Sequence, residues 1–158
     1  MTRVRDARPA DGAFVAELVP RFVEHGAADG HTPQEVIDGT RRVLREALRA
    51  LPAGDVFVIA EDEHGERTGF VYAVAERDFF TDEPYLHVSE IATARSGDGV
   101  GALLMDAAEE RARERGYRFV TLNVVDENAA ARRFYERHGY AIGHHHFVKR
   151  LPDENARS

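Results

Sequence analysis

The sequence predicts a single-domain α/β (α+β) protein built on a mixed, mostly antiparallel sheet of about six to seven strands with helices on both faces. Three observations carry this. The chain has 158 residues, 43% of them hydrophobic and 31% charged, which suits one globular domain with a buried core. Its apolar, β-branched runs come first as a hairpin and then as a strand–helix–strand unit. No repeat and no linker-like stretch divides it. The expected domain covers 1–151, and a polar, frayed tail follows at 152–158.

The elements are justified in order. Residues 3–7 read as a short first strand, and Arg8-Pro9-Ala10-Asp11 as a turn into a helix carrying Phe14, Val15, Leu18 and Val19 at helical spacing. Pro20 is expected to end or kink that helix. After a loop at 25–30, Thr32 caps a second helix with Pro33 at its first position. Its buried stripe is expected to be Val36, Ile37, Val43, Leu44, Leu48 and Leu51. Strands at 55–61 and 68–75 flank the turn Glu63-His64-Gly65-Glu66 and form a hairpin. An acidic, aromatic loop at 78–84 leads to a strand at 85–93. A glycine loop at 97–101 opens a long helix through Arg115, stopped by Gly116. A strand at 118–125, a short helix at 128–138 stopped by Gly139, and a terminal strand pair at 140–142 and 145–151 complete the set.

Composition narrows the function classes. Cysteine is absent, which excludes disulfides, thiolate zinc sites and cysteine nucleophiles. The net charge of −7 argues against a nucleic-acid binder, which needs a basic face. It suits cationic amine substrates and also serves solubility. No apolar run approaches bilayer-spanning length, and the N-terminus lacks the apolar stretch of a signal peptide, so no membrane partner is expected and the default compartment is the cytoplasm. His144-His145-His146 fall on alternating faces of a strand, so a metal site is not expected there.

The most informative stretch runs from Ile91, Ala92 and Thr93 through Arg95, Ser96, Gly97, Asp98, Gly99, Val100, Gly101 and Ala102. A strand enters, three alternating glycines follow, and a helix leaves. Glycines permit close approach of a ligand. Free amides at the helix start then form an anion site suited to a pyrophosphate. A Walker loop is excluded, because no Gly-Lys-Ser/Thr follows. Gly97, Gly99 and Ala102 also satisfy the dinucleotide form G-x-G-x-x-A, with Asp126 near the position of a ribose ligand. Too little chain follows Asp126, however, for a second nucleotide-binding half.

The same stretch resembles the acetyl-CoA signature of the GNAT acetyltransferases, written Arg/Gln-x-x-Gly-x-Gly/Ala. Gly99 and Gly101 match its glycines, and Ser96 replaces its Arg/Gln, with Arg95 one residue earlier. The segment from Asn128 through Ala131, Phe134 and Tyr135 to Gly139 and Tyr140 resembles the family's Asn-x-x-Ala-x-x-Phe-Tyr-x-x-x-Gly-Phe/Tyr motif. Val4 to Asp11 is similar to its opening strand and turn. The resemblance implies a GNAT-like fold with two splayed central strands, and acetyl transfer from acetyl-CoA, as co-substrate, to a primary amine of a small molecule or peptide. Pantetheine is then expected between strand 85–93 and Leu122, Asn123 and Val124, with Asn128 and Ala131 also on the coenzyme.

Such a transfer needs a base for the ammonium, donors for the oxyanion and a proton for the leaving thiolate. The resemblance assigns the last role to Tyr135, a phenol of pKa about 10. The base falls on Glu90 if the preceding loop is two residues shorter than usual, and on His87 if it is not. The acceptor is expected to pass Asp78, Asp82 and Glu83, with Phe80 holding its body; these acids also read as a solvated loop tip. Homodimerisation is common in such folds, and no patch in the sequence is diagnostic of it. The alternative readings are a sensor that binds acyl-CoA without turnover, motivated by Ser96, and the dinucleotide binder.

Overall fold

A computed structural model describes residues 1–153; the remainder of the expected tail, 154–158, lies outside the described residues. Five strands form one sheet in sequence order: β1 (Arg3–Asp6), β2 (Val56–Glu61), β3 (Arg67–Arg77), β4 (Pro84–Thr93) and β5 (Val120–Leu122). The first three neighbour pairs are antiparallel and β4–β5 is parallel. Helices α1 (Gly12–Leu18) and α2 (Pro33–Arg49) cover one face. Helix α3 (Val100–Glu114), joined by α4 (Ala129–Arg137), covers the other.

Strand alternation builds the two cores. Val56, Val58 and Ala60 of β2 and Val71 and Ala73 of β3 meet Leu104, Met105 and Ala108 of α3. Phe57 and Ile59, with Phe70 and Tyr72, meet Val15, Leu18, Val19, Leu44 and Ala47 on the opposite face. Pro20 acts as its sequence implies: α1 stops at Leu18 and tightens into a 3-10 segment over Val19–Val23. Thr32 caps α2 with a reciprocal bond pair to Glu35, the capping box. Two members of the expected stripe are exposed: Val43, which lies off the face carrying Leu44 and Ala47, and Leu51, which falls beyond the end of the helix at Arg49.

The strand count is lower than the sequence suggested. The strand expected at 118–125 pairs only over Val120–Leu122, and 140–142 and 145–151 form no strand. The physical reason is in the pattern. Phe147-Val148 and Lys149-Arg150 are like neighbours rather than an alternating series, so neither face of that segment is apolar throughout. Ile142 and Phe147 lie 65% and 91% exposed, with no core to reward pairing.

Candidate active site

The site begins with a register change in β4. Tyr72 pairs with Glu90 and Ala73 with Val88, so Ser89 is an extra residue on β4, a β-bulge. Leu86 and Val88 face α3 before the bulge, and Ile91 does so after it. A strand without the bulge would put His87 and Glu90 on opposite faces. With it, both lie on the α1–α2 face, across from Val74 and Tyr72. The sequence carried a signal for this in the broken alternation Leu86, Val88, Ile91.

Past the bulge, β4 loses its parallel neighbour. The pairing runs Leu86↔Val120, His87↔Thr121 and Val88↔Leu122, then ends. Residues 89–93 of β4 therefore have no ladder partner on the edge away from β3, and β5 ends at Leu122, before Asn123 and Val124. Two central strands that start together and then part leave a gap open to backbone hydrogen bonding. Thr121 fastens the closed end, its hydroxyl 2.7 Å from Nδ1 of His87.

The glycine loop sits where β4 ends. Gly97 and Gly99 have φ of +77° and +81°, and Gly99 is the N-cap of α3. A Cβ at either would meet nothing within 4 Å, so this face of the loop is open. Gly101 differs: a Cβ there would touch the Phe134 ring at 3.5 Å, so this glycine also serves the contact between α3 and α4. First-turn amides of a helix lack acceptors within it and favour an anion. The Asp98 carboxylate already accepts from the Val100 amide at 3.1 Å. Arg95 and Ser96 are exposed beside it, and Ala92 and Thr93 close β4 below it. Arg21, which the sequence did not single out, donates to the carbonyls of Thr93 and Ala94 at 2.6 and 2.8 Å. It lies 72 residues from Thr93 in the chain, so only the packed fold brings it there.

Two partly buried ionisable groups lie on opposite faces of the sheet, Glu90 on β4 and Tyr135 on α4. The Glu90 carboxylate has no hydrogen-bond or ion-pair partner among the described residues, and burial pushes its pKa up to about 7. Tyr135 packs against the α3-side core, beside Phe134 and Tyr140. Burial pushes its pKa up to about 12, so the phenol keeps its proton at neutral pH. Asn128 caps α4, accepting from the Ala131 amide at 3.1 Å. The acidic loop stands apart, at the start of β4. Its Asp82 pairs with Arg77 and its Glu83 with Arg118, both at 2.8 Å, and Asp78 accepts from the Phe80 and Thr81 amides. Phe79 and Phe80 project from it, 92% and 89% exposed.

This frame has known counterparts. AAC(6')-Iy, solved with the bisubstrate analog CoA-S-monomethyl-acetylneamine, superposes with a TM-score of 0.71 over 97% of this chain and 99% of its own, at 16% identity; at that distance the likeness is one of fold. The family assignment comes from sequence: the model of the acetyltransferase (GNAT) family matches residues 21–140, and the chain belongs to that family. Streptothricin acetyltransferase of Streptomyces lavendulae is 29% identical over 125 residues, 79% of this chain and 58% of its own length. The N-acetyltransferase YdgE of Bacillus subtilis (strain 168) is 29% identical over 90 residues, 57% of each chain. The chain thus spans less than two thirds of the length of these curated relatives. The dinucleotide reading fails on topology, since it needs a parallel sheet and only β4–β5 is parallel here.

Proposed function

We propose that the protein transfers an acetyl group from acetyl-CoA to a primary amine of a small molecule or peptide, by direct attack in a ternary complex. The observation that carries this is the parted β4–β5 pair with an open glycine loop where β4 ends; Glu90 on β4 and Tyr135 on α4 supply an unpartnered carboxylate and a protonated phenol on the two faces of the sheet. The open loop face and the unpaired β4 edge fit a pyrophosphate followed by an amide-bearing arm, so Ile91 to Ala102 and Asn128 are the residues to hold the coenzyme. Bound there, it supplies the activated thioester.

The rest falls to the chain's own groups. Glu90 takes the proton of the acceptor ammonium, directly or through a water. The amine nitrogen then bonds the acetyl carbon, a β4 amide stabilises the oxyanion, and the carbon–sulfur bond breaks. Tyr135 gives its proton to the sulfur, and the acetylated nitrogen sheds its extra proton to solvent, which restores the phenol. His87 is the weaker choice of base, because Thr121 already engages its ring. Phe79 and Phe80 offer apolar faces to the acceptor body; Asp82 and Glu83 add little charge while Arg77 and Arg118 pair with them. A cytoplasmic location is part of the same proposal; among the described residues no helix is long and apolar enough to cross a membrane. Titration with acetyl-CoA, followed by thiol release across a panel of primary amines, tests the proposal. Tight binding with amine-dependent release supports it. Tight binding with no release from any amine leaves the sensor reading, and no binding overturns both.

A further inference from the structure

The α1–α2 face of the sheet carries a second polar cluster that the reaction does not use. Tyr72 and Asp55 are each only 4% exposed. The Tyr72 hydroxyl donates to one Asp55 oxygen at 2.8 Å, and the Ala75 amide donates to the other at 2.9 Å. Burial first, then this bond, drives the phenol pKa far above its ordinary value, so Tyr72 is a fixed donor. On the β2 side its ring packs on Phe57, centroids 5.0 Å apart. On the β4 side its direct cross-strand neighbour is Glu90. Such neighbours share a face, with Cβ atoms about 5 Å apart. The same ring lines a surface groove of about 480 Å³ under the end of α2, with Val43, Glu46, Ala47 and Pro52. Tyr72 therefore borders this groove on one side and stands next to the half-buried Glu90 on the other.

From this juxtaposition we infer that Tyr72, anchored by Asp55, is a positioning residue: its ring is the partition that keeps groove water away from Glu90. The inference rests on the reading of Glu90 as the base. The bulge at Ser89 puts Glu90 opposite Tyr72, and the anchor stops the ring from swinging aside. A mobile or smaller side chain joins the groove to the carboxylate, and hydration favours the charged form. The other charged and titratable groups on this face include His87, held by Thr121, Arg21, held by the Thr93 and Ala94 carbonyls, Arg41, held by the Ala16 carbonyl, and Glu46 and Arg49 on the groove rim. None of them makes a hydrogen bond or ion pair with Glu90.

The test reads Glu90 directly. Protein labelled with ¹³C at the glutamate side-chain carboxyl is titrated by NMR, and the Glu90 signal is assigned by its absence in Glu90→Gln. The wild-type midpoint is expected near 7. Tyr72→Phe keeps the ring but cuts its bond to Asp55, so it lowers the midpoint in the same direction as Asp55→Ala and by less than Tyr72→Ser. Tyr72→Ser removes the partition and lowers it by one unit or more. Asp55→Ala keeps the ring's volume but frees it, and lowers the midpoint in the same direction; it decides alone if Tyr72→Ser does not fold. A wild-type midpoint in the folded Tyr72→Ser or Asp55→Ala protein overturns the partition. Full thiol-release activity in Glu90→Gln overturns the base reading instead and leaves the midpoints to be judged on their own.

Discussion

In the proposed reaction two side chains carry the chemistry, and burial shifts the protonation of both. Tyr135, raised to about 12, keeps its proton at neutral pH. Tyr135→Phe removes that proton and almost no volume, so kcat is expected to fall ~10²–10⁴-fold while the dissociation constant for acetyl-CoA stays nearly constant. Stopped-flow thiol release against equilibrium titration separates the two quantities. Glu90 acts in the opposite sense. A base works when unprotonated, so kcat/KM should rise through about pH 7, and Glu90→Gln should lose that limb. The same shift has a stability consequence. A carboxyl whose folded pKa is raised favours the fold when protonated, and that contribution is lost as pH rises from about 4.5 through 7. Glu90→Gln is therefore expected to be more stable than wild type at pH 8 by about 1–3 kcal/mol, and nearly equal to it at pH 4. Urea midpoints at the two pH values check this; equal differences at both would sink the burial argument.

Among the elements, β4 matters most, because it carries the bulge, the open edge and the entry to the glycine loop. Its position depends on one close approach. A Cβ at Gly69 of β3 would lie 2.8 Å from the Ala92 carbonyl oxygen, 3.0 Å from Leu104 and 3.1 Å from Val100. The oxygen belongs to backbone and cannot rotate away. Gly69→Ala must then push β4 or α3 aside, with an expected loss of ~1–3 kcal/mol and weaker acetyl-CoA binding, since both elements feed the loop. Thermal unfolding and coenzyme titration of that one variant test both parts. A stable Gly69→Ala protein with normal affinity would show that the sheet yields there at no cost.

For the whole molecule, the hairpin, the first strand and the first turn are tied together by one buried carboxylate. Asp11 is fully buried and accepts from the Arg5 guanidinium at 2.8 and 2.9 Å, from Arg67 at 2.6 Å and from the Arg8 amide at 2.7 Å. Glu61 at the end of β2 takes the remaining Arg5 nitrogen at 2.5 Å and pairs with Arg3. Burial pushes the Asp11 carboxyl up, but its Arg5, Arg67 and Arg8 donors outweigh that and hold it well below the usual carboxylate range. With a depressed folded pKa, its contribution is present above the unfolded value of about 4 and is lost as pH falls toward the folded one. Asp11→Asn leaves two guanidiniums short of a counter-charge and is expected to cost ~3 kcal/mol at pH 7, with a smaller deficit at pH 3. Chemical denaturation at both pH values measures it; a pH-independent deficit would mean that volume, not charge, is at stake.

Much of this was legible in the sequence because local chemistry decides it. The α2 cap at Thr32 and Pro33, the break at Pro20, the hairpin around Gly65, the glycine loop and the Asn128 cap of α4 are each set by neighbouring residues, and each formed where its residues specify. Even the bulge that brings Glu90 and His87 onto one face had a local trace in the broken alternation along β4. Tertiary structure alone decided the remainder. Pairing over Val120–Leu122 stops where β4 and β5 part, and strand propensity at 118–125 cannot say where a neighbour ends. The raised pKa of Glu90 comes from burial in the packed sheet, the place of Arg21 from packing across 72 positions, and the Glu83–Arg118 pair from residues 35 apart. Burial and charge pairing depend on which distant surfaces meet, and that information is written in the packed fold rather than in any short window of the chain.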